Sequence, residues 1–203
     1  MRTWEEVRED FPILKEKIHG KDLIYLDNAA TTQLPQQVLD CFVEHYTKYN
    51  ANVHRGIHYL SELSTMHMEA VRDKLKAFLH AEDQGEIIFT SGATDSANLV
   101  AQSFLCHVLQ PGDVDGELDM DAAHKMLSDK VKLLAVTAVS NVTGTVVDIE
   151  TLIAWAKEYE IPVYIDAAQA VRHRIFDLAE LQCDFLGFSA HKMMGPTGVG
   201  CLF

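Results

Sequence analysis

Apolar strands alternating with amphipathic helices predict an α/β domain, a mostly parallel sheet with helices on both faces. Three observations carry that prediction. VKLLAVTAV, IPVYID and CDFLGF are continuous apolar runs, as strands covered on both faces require. Segments between them, such as IETLIAWAKEYE, space their apolar residues as helices do. Polar residues cluster just beyond the carboxyl ends of the strands, where open parallel sheets hold their ligands.

In chain order, residues 3 to 10 read as a short amphipathic helix stopped by Pro12. KDLIYLDNAATTQLP reads as a short apolar strand, then a loop of small and polar residues. Residues 36 to 49 are helical in pattern, and NANVHRGIHYL is an irregular loop around Gly56. From Leu60, apolar residues fall at 60, 63, 66, 70, 71, 75 and 78, which is helical spacing. EIIFTSGATDSANLVAQSFL reads as strand, glycine turn and helix. Strand, helix, strand and strand follow, and GVGCLF begins one more strand.

The chain has 203 residues, of which 48% are apolar, and a formal net charge of -13. That charge argues against nucleic acid and against an anionic membrane surface as partners. It does not argue against a small anion, because a few backbone N–H groups can hold a phosphate. The first residues are acidic where a secretory signal is basic. No run approaches the roughly 18 apolar residues of a membrane span. The four cysteines, Cys41, Cys106, Cys183 and Cys201, form no C-x-x-C pair, and they read as reduced thiols of a cytoplasmic protein.

Four strand ends deliver functional groups to one edge of the predicted sheet. Ser91-Gly92-Ala93-Thr94 opens a helix with free N–H groups and a hydroxyl, which suits a phosphate. Taken alone it reads first as a plain strand-to-helix turn with Thr94 or Asp95 as cap, and the phosphate reading needs the neighbouring groups. Asp166 ends the strand PVYI; it either caps a loop or faces a ring nitrogen that must stay protonated. Gln169 follows it and can cap or donate to a ring oxygen. Lys192 lies beside Ser189 and His191, where a partly desolvated amine can form a Schiff base. Strand alternation puts Ser189 and His191 on one side, within reach of the same phosphate. Asn141 ends the fourth strand. The acidic run Asp113 to Asp121 reads as a solvated turn before a helix, and zinc is rejected for His54 with His58 because Gly56 between them weakens a helix.

A phosphate site, an acid for a ring nitrogen and a Schiff-base lysine, in this order, are the parts of a pyridoxal phosphate pocket. YLDNAATT, NVHRGIH, SGATDSANLVA, VSNVTGT, DAAQAV and SAHKMMGPTGVG resemble the group V aminotransferase-fold enzymes. More narrowly they resemble the cysteine desulfurases of the SufS and CsdA type. The resemblance covers the chain from about residue 10 onward. It implies the large domain of a fold type I, pyridoxal 5'-phosphate-dependent transferase over residues 31–203, preceded by an N-terminal segment over 1–30. By match, Lys192 would be the Schiff-base lysine and the acid/base at the substrate α-carbon. Asp166 would pair with the ring nitrogen and Gln169 with the ring hydroxyl oxygen, while Ala93, Thr94, Ser189 and His191 would bind phosphate. Asn141, Ala29, Ala30, His54 and Arg55 would border the substrate, the last four in part across a homodimer interface. The implied reaction takes sulfur from L-cysteine, or selenium from selenocysteine, leaving L-alanine and a persulfide for an acceptor protein.

Two departures from the family pattern follow. Pro111-Gly112-Asp113 runs almost directly into Asp115-Gly116-Glu117-Leu118-Asp119, so a strand-helix-strand unit on the order of 30 residues is expected to be absent near 113–115. The family's C-terminal small domain, with its nucleophilic cysteine and carboxylate-binding arginine, is also without a counterpart. This stretch alone is therefore expected to be inactive. Cys183 and Cys201 fall on predicted core strands and read as packing residues.

Overall fold

A computed structural model describes residues 2–54, 56–81, 86–104 and 118–203. Helix α1 (Trp4–Arg8) starts with a capping box: the Thr3 hydroxyl accepts from Glu6 N, and Glu6 Oε2 accepts from Thr3 N. Strands β1 (Lys17–Ile18) and β2 (Lys21–Asp22) form a small antiparallel hairpin. The strand expected over LIYL does not form. Ile24 and Leu26 stand 79% and 88% exposed, because no neighbouring strand among the described residues offers a ladder to this segment. The hydroxyl of Tyr25 instead donates to the carbonyls of Asp27 and Thr31 and curls the segment.

Helix α2 (Gln36–Glu44) runs into a π-helical turn at His45–Tyr49. Helix α3 (Tyr59–Leu79) is capped by His58, whose Nδ1 accepts from Ser61 N, and stops at His80 in the left-handed region. The remainder is β3 (Ile88–Thr90), α4 (Ala93–Phe104), α5 (Met120–Met126), β4 (Leu134–Thr137), α6 (Ile149–Glu158), β5 (Val163–Asp166), α7 (Leu178–Leu181), β6 (Phe185–Ser189) and β7 (Gly200–Leu202).

The five-stranded sheet has the order β3-β7-β6-β5-β4. Strands β4, β5 and β6 are mutually parallel. Strand β7 is antiparallel to both of its neighbours, so β3 points the same way as β6. The carboxyl ends of β3, β4, β5 and β6 therefore share one edge, as the alternation of apolar runs and helices predicts.

Both faces are covered, which is why the strand sequences are apolar throughout. In β5, Val163 and Ile165 enter a cluster with Ile149, Leu152 and Leu186, against α6. Tyr164, between them, enters the opposite cluster with Val100 of α4 and Leu202 of β7. Each such aliphatic side chain contributes roughly 1.5–3 kcal/mol by leaving water. Cys201 lies on β7 as expected, whereas buried Cys183 precedes β6 rather than lying within it. Burial pushes both thiols up to about 12.

Candidate active site

The turn between β3 and α4 is built by contacts from distant strands. Ala93 N donates to the hydroxyl of buried Ser189 at 2.7 Å, which joins the first turn of α4 to the end of β6. That hydroxyl keeps its own proton to donate. Gly92 has φ +149, and β7 presses against it: a Cβ on Gly200 would lie 2.4 Å from Gly92 Cα. Beneath the turn, Ser96 Oγ donates to the Cys201 carbonyl at 3.2 Å. The twelve residues of α4 direct the positive end of the helix dipole at this turn. Thr94 is exposed on the first turn of the helix.

Asp166 ends β5 half-buried, with Oδ1 accepting from Ala168 N at 2.9 Å. Its Oδ2 has no partner among the described residues. Tyr164, nearby, has its phenol pushed up by burial and next by the charge of Asp166. Gln169 is buried, and both ends of its amide are engaged. Nε2 donates to the Ala29 carbonyl at 2.7 Å, and Oε1 accepts from Arg172 Nη2 at 3.1 Å. Arg172 Nη1 donates to the Asn28 carbonyl at 2.7 Å. The Asn28–Ala29 loop is thereby tied to the segment after β5. Ala30 N closes a turn on the Asp27 carbonyl. Asn141 lines a cavity of about 520 Å³ together with Ala29, Gln169 and Arg172.

Beyond Ser189 the chain turns at Ala190–Lys192 into a 3-10 turn, so strand alternation stops there. The expectation that Ser189 and His191 share a strand side is corrected by this turn: Ser189 meets Ala93, whereas His191 Nδ1 lies 3.3 Å from Thr31 Oγ1. Thr32 straps the loop down. Its N and Oγ1 donate to the His191 carbonyl at 2.8 and 2.9 Å, and its Oγ1 accepts from Met194 N at 2.7 Å. Lys192 is half-buried on the wall of a cavity of about 850 Å³, shared with Asn28, Thr32 and Arg172. Its amine has no hydrogen bond or ion pair among the described residues.

His54 is not brought to this edge. It has φ +58, and its Nε2 lies 3.1 Å from Glu69 Oε1 of α3. It lines neither cavity. Arg55, Cys106 and the junction near 113–115 lie outside the described residues. Thr31, Thr32 and Arg172 escaped the sequence reading; the only signals for them were the paired threonines after NAA and the arginine three residues after Gln169.

The chain matches the family Aminotransferase class-V over residues 24–114 and 108–203. It belongs to that family. Enzymes of the class-V aminotransferase family depend in general on pyridoxal phosphate. Relatives of this class-V member include a probable cysteine desulfurase of Halobacterium salinarum, 39% identical over 98% of the chain and 56% of the relative. The cysteine desulfurase of Serratia proteamaculans is 42% identical over 98% and 57%. Among solved structures, the apo cysteine desulfurase of Thermococcus onnurineus NA1 has TM-score 0.88 and 36% identity, covering 100% of the chain and 57% of that protein. The Escherichia coli cysteine desulfurase CsdA has TM-score 0.83 and 29% identity, over 100% and 58%. The chain thus spans less than two thirds of the length of these relatives.

Proposed function

We propose that this class-V family member is the cofactor-binding part of a pyridoxal-phosphate-dependent cysteine desulfurase that takes sulfur from L-cysteine. The observation that carries the reading is that separate strand ends share one edge: Ser189 bonded to the first turn of α4, Asp166 with its open Oδ2, and Lys192, on the turn after Ser189, with an unpaired amine. These groups fit pyridoxal phosphate. A hydroxyl and a helix N-terminus suit its phosphate, a carboxylate suits its ring nitrogen, and an amine suits its aldehyde. When bound, the cofactor supplies an electron sink that acidifies the substrate α-carbon.

In this reading Ser189, Ala93 and Thr94 hold the phosphate. Asp166 keeps the ring nitrogen protonated, and Gln169 orients the ring from beside it. Lys192 carries the α-proton. Asn141, Ala29 and Ala30 border the substrate. His191 is tied to Thr31 and Thr32, and its proposed part is to hold the Lys192 turn in place. Roles for His54 and Arg55 rest on the family pattern alone.

The thiol that accepts sulfur is neither Cys183 nor Cys201. With thiols near 12, roughly one molecule in 10⁵ would be a thiolate at neutral pH. We place that thiol in the part of the relatives this chain does not span. The alignment to the Halobacterium relative runs over 233 residues against 203 here, a difference of at least 30. Together with the match in two pieces meeting at 108–114, this supports a shortening near 113–115. A homodimer, an acceptor protein for the sulfur and a cytoplasmic location complete the proposal. No helix among the described residues is long and apolar enough to cross a membrane.

The test is to load the protein with pyridoxal phosphate, add L-cysteine in deuterated water, and follow the cofactor absorption and the substrate α-proton. L-cysteine is expected to exchange its α-proton with the deuterated solvent in the wild-type protein and not in Lys192→Ala. An absorption indifferent to L-cysteine but responsive to another amino acid would overturn the desulfurase reading.

A further inference from the structure

Strand β4 ends one side of the sheet, and β5 is its only strand partner among the described residues. Leu134 N donates to the Pro162 carbonyl and Ala138 N to the Asp166 carbonyl, both on the β5 side. By the two-residue period of a strand, the N–H and C=O groups of Ala135 and Thr137 point the other way. They have no partner among the described residues. The side chains of the same strand are covered on both faces. Leu134 and Val136 pack in the cluster against α6, and Ala135 packs in the cluster of Val100 and Tyr164. Strand β4 is thus built as an interior strand but stands at an open edge.

Exposed edges are normally blunted by charge, proline or a covering segment. Leu134-Ala135-Val136-Thr137 has no charge, proline or glycine. The opposite edge is treated differently. Strand β3 has three residues, and Arg72 reaches over it, with Nη1 donating to the Ile87 carbonyl and the guanidinium 4.6 Å from the centre of the Phe89 ring. The shortening near 113–115 falls on the chain leading into β4, where the two matched pieces meet and the Halobacterium relative aligns over at least 30 more residues. Strands consecutive in sequence usually lie side by side, so the strand-helix-strand unit expected there is the natural cover for this edge.

The open groups are complementary to themselves. In an antiparallel pairing with a two-fold axis at Val136, Ala135 of one copy faces Thr137 of the other, and each such pair exchanges two N–H···O bonds. The two Val136 side chains then meet as a close β-branched pair. Lys132 of each copy falls at opposite ends of the ribbon, so the like charges do not face each other. We propose that the open edge of β4 pairs with β4 of a second copy of this chain, joining two five-stranded sheets into one. The two-fold axis closes the assembly at this edge. The pairing uses none of the residues given to cofactor or substrate, so it stands independently of the desulfurase reading.

Sedimentation velocity on the full chain, over a range of concentrations, is the test. Wild type is expected to self-associate, and more strongly with added salt, because each copy carries a net charge of -13. Ala135→Pro removes an outward N–H that bonds nothing within the chain, so circular dichroism should be unchanged. Its association midpoint should move to roughly tenfold higher concentration or beyond. Val136→Cys is the second test. In this register the two Cα atoms lie about 4.5 Å apart, within reach of a disulfide, so mild oxidation with diamide should link two copies through the substituted position. Peptide mapping, with oxidised wild type as the control, identifies that link. The proposal is overturned if purified wild type is monomeric at every concentration, as it would be were this edge reserved for a strand of another protein. It is equally overturned if folded Ala135→Pro associates as wild type does, or if oxidised Val136→Cys links only through its native cysteines. Should Ala135→Pro fail to fold, the linkage result decides.

Discussion

Gly200→Ala tests how the phosphate turn is held. The added Cβ would lie 2.4 Å from Gly92 Cα and 2.7 Å from Gly92 N and C. Those are backbone atoms and cannot rotate aside, so either β7 or the turn must move. Overpacking of this kind costs about 1–3 kcal/mol. For a chain of 203 residues each kcal/mol lowers Tm by roughly 2–4 °C, which predicts a fall of roughly 2–12 °C. The site should suffer as well, because a displaced Gly92 pulls Ala93 N from the Ser189 hydroxyl now 2.7 Å away. Affinity for pyridoxal phosphate, measured by fluorescence titration, should fall with the melting temperature. Gly20→Ala is the control. Gly20 has φ +77 with nothing within 4 Å of a Cβ, so it should lose roughly 1–2 kcal/mol to backbone strain and keep its cofactor affinity. A Gly200→Ala protein that melts and binds cofactor as wild type does would refute the claim that this close approach sets the turn.

Further expectations concern single contacts. Ser189→Ala leaves Ala93 N without its acceptor and should cost about 1–3 kcal/mol in urea denaturation, with cofactor affinity lowered roughly tenfold. Thr32→Val removes the strap between His191 O and Met194 N; amide exchange at Met194 should speed up, and unchanged exchange would show that the loop is held otherwise. The buried thiols give a pH dependence. Their folded values are raised from 9.0 to about 12, so the folded chain keeps protons that the unfolded chain releases. Stability is then full below about 9 and declines as pH rises toward 12. Replacing both cysteines by alanine should flatten the urea midpoint across that range. A thiol reagent should label exposed Cys41 before Cys183 or Cys201 in the native protein.

The sheet was readable because burial on both faces leaves a direct mark. Val163, Tyr164 and Ile165 are all apolar since successive side chains enter opposite clusters. Asp166, Ser189 and Lys192 were legible for a related reason: a polar residue ending an apolar run must lie where the sheet stops. LIYL was misleading because an apolar run makes a strand only if a neighbouring edge accepts it, and Ile24 and Leu26 find none among the described residues. The side assigned to His191 failed at the 3-10 turn, whose hydrogen bonds depend on Thr32, 159 residues earlier. Arg172 was hidden for the same reason, since its bond to Asn28 spans 144 residues and no local pattern announces it. Contacts made by loops across that much chain follow from the fold rather than from periodicity.

The most direct test of the proposed pocket is chemical. The protein is incubated with pyridoxal phosphate, reduced with borohydride, digested and mapped by mass spectrometry. The convergence of Ser189, Asp166 and Lys192 predicts one pyridoxyl-phosphate label, on Lys192, and none at any site in Lys192→Ala. A label absent from Lys192, or spread over the exposed lysines to the same extent in both proteins, would contradict it.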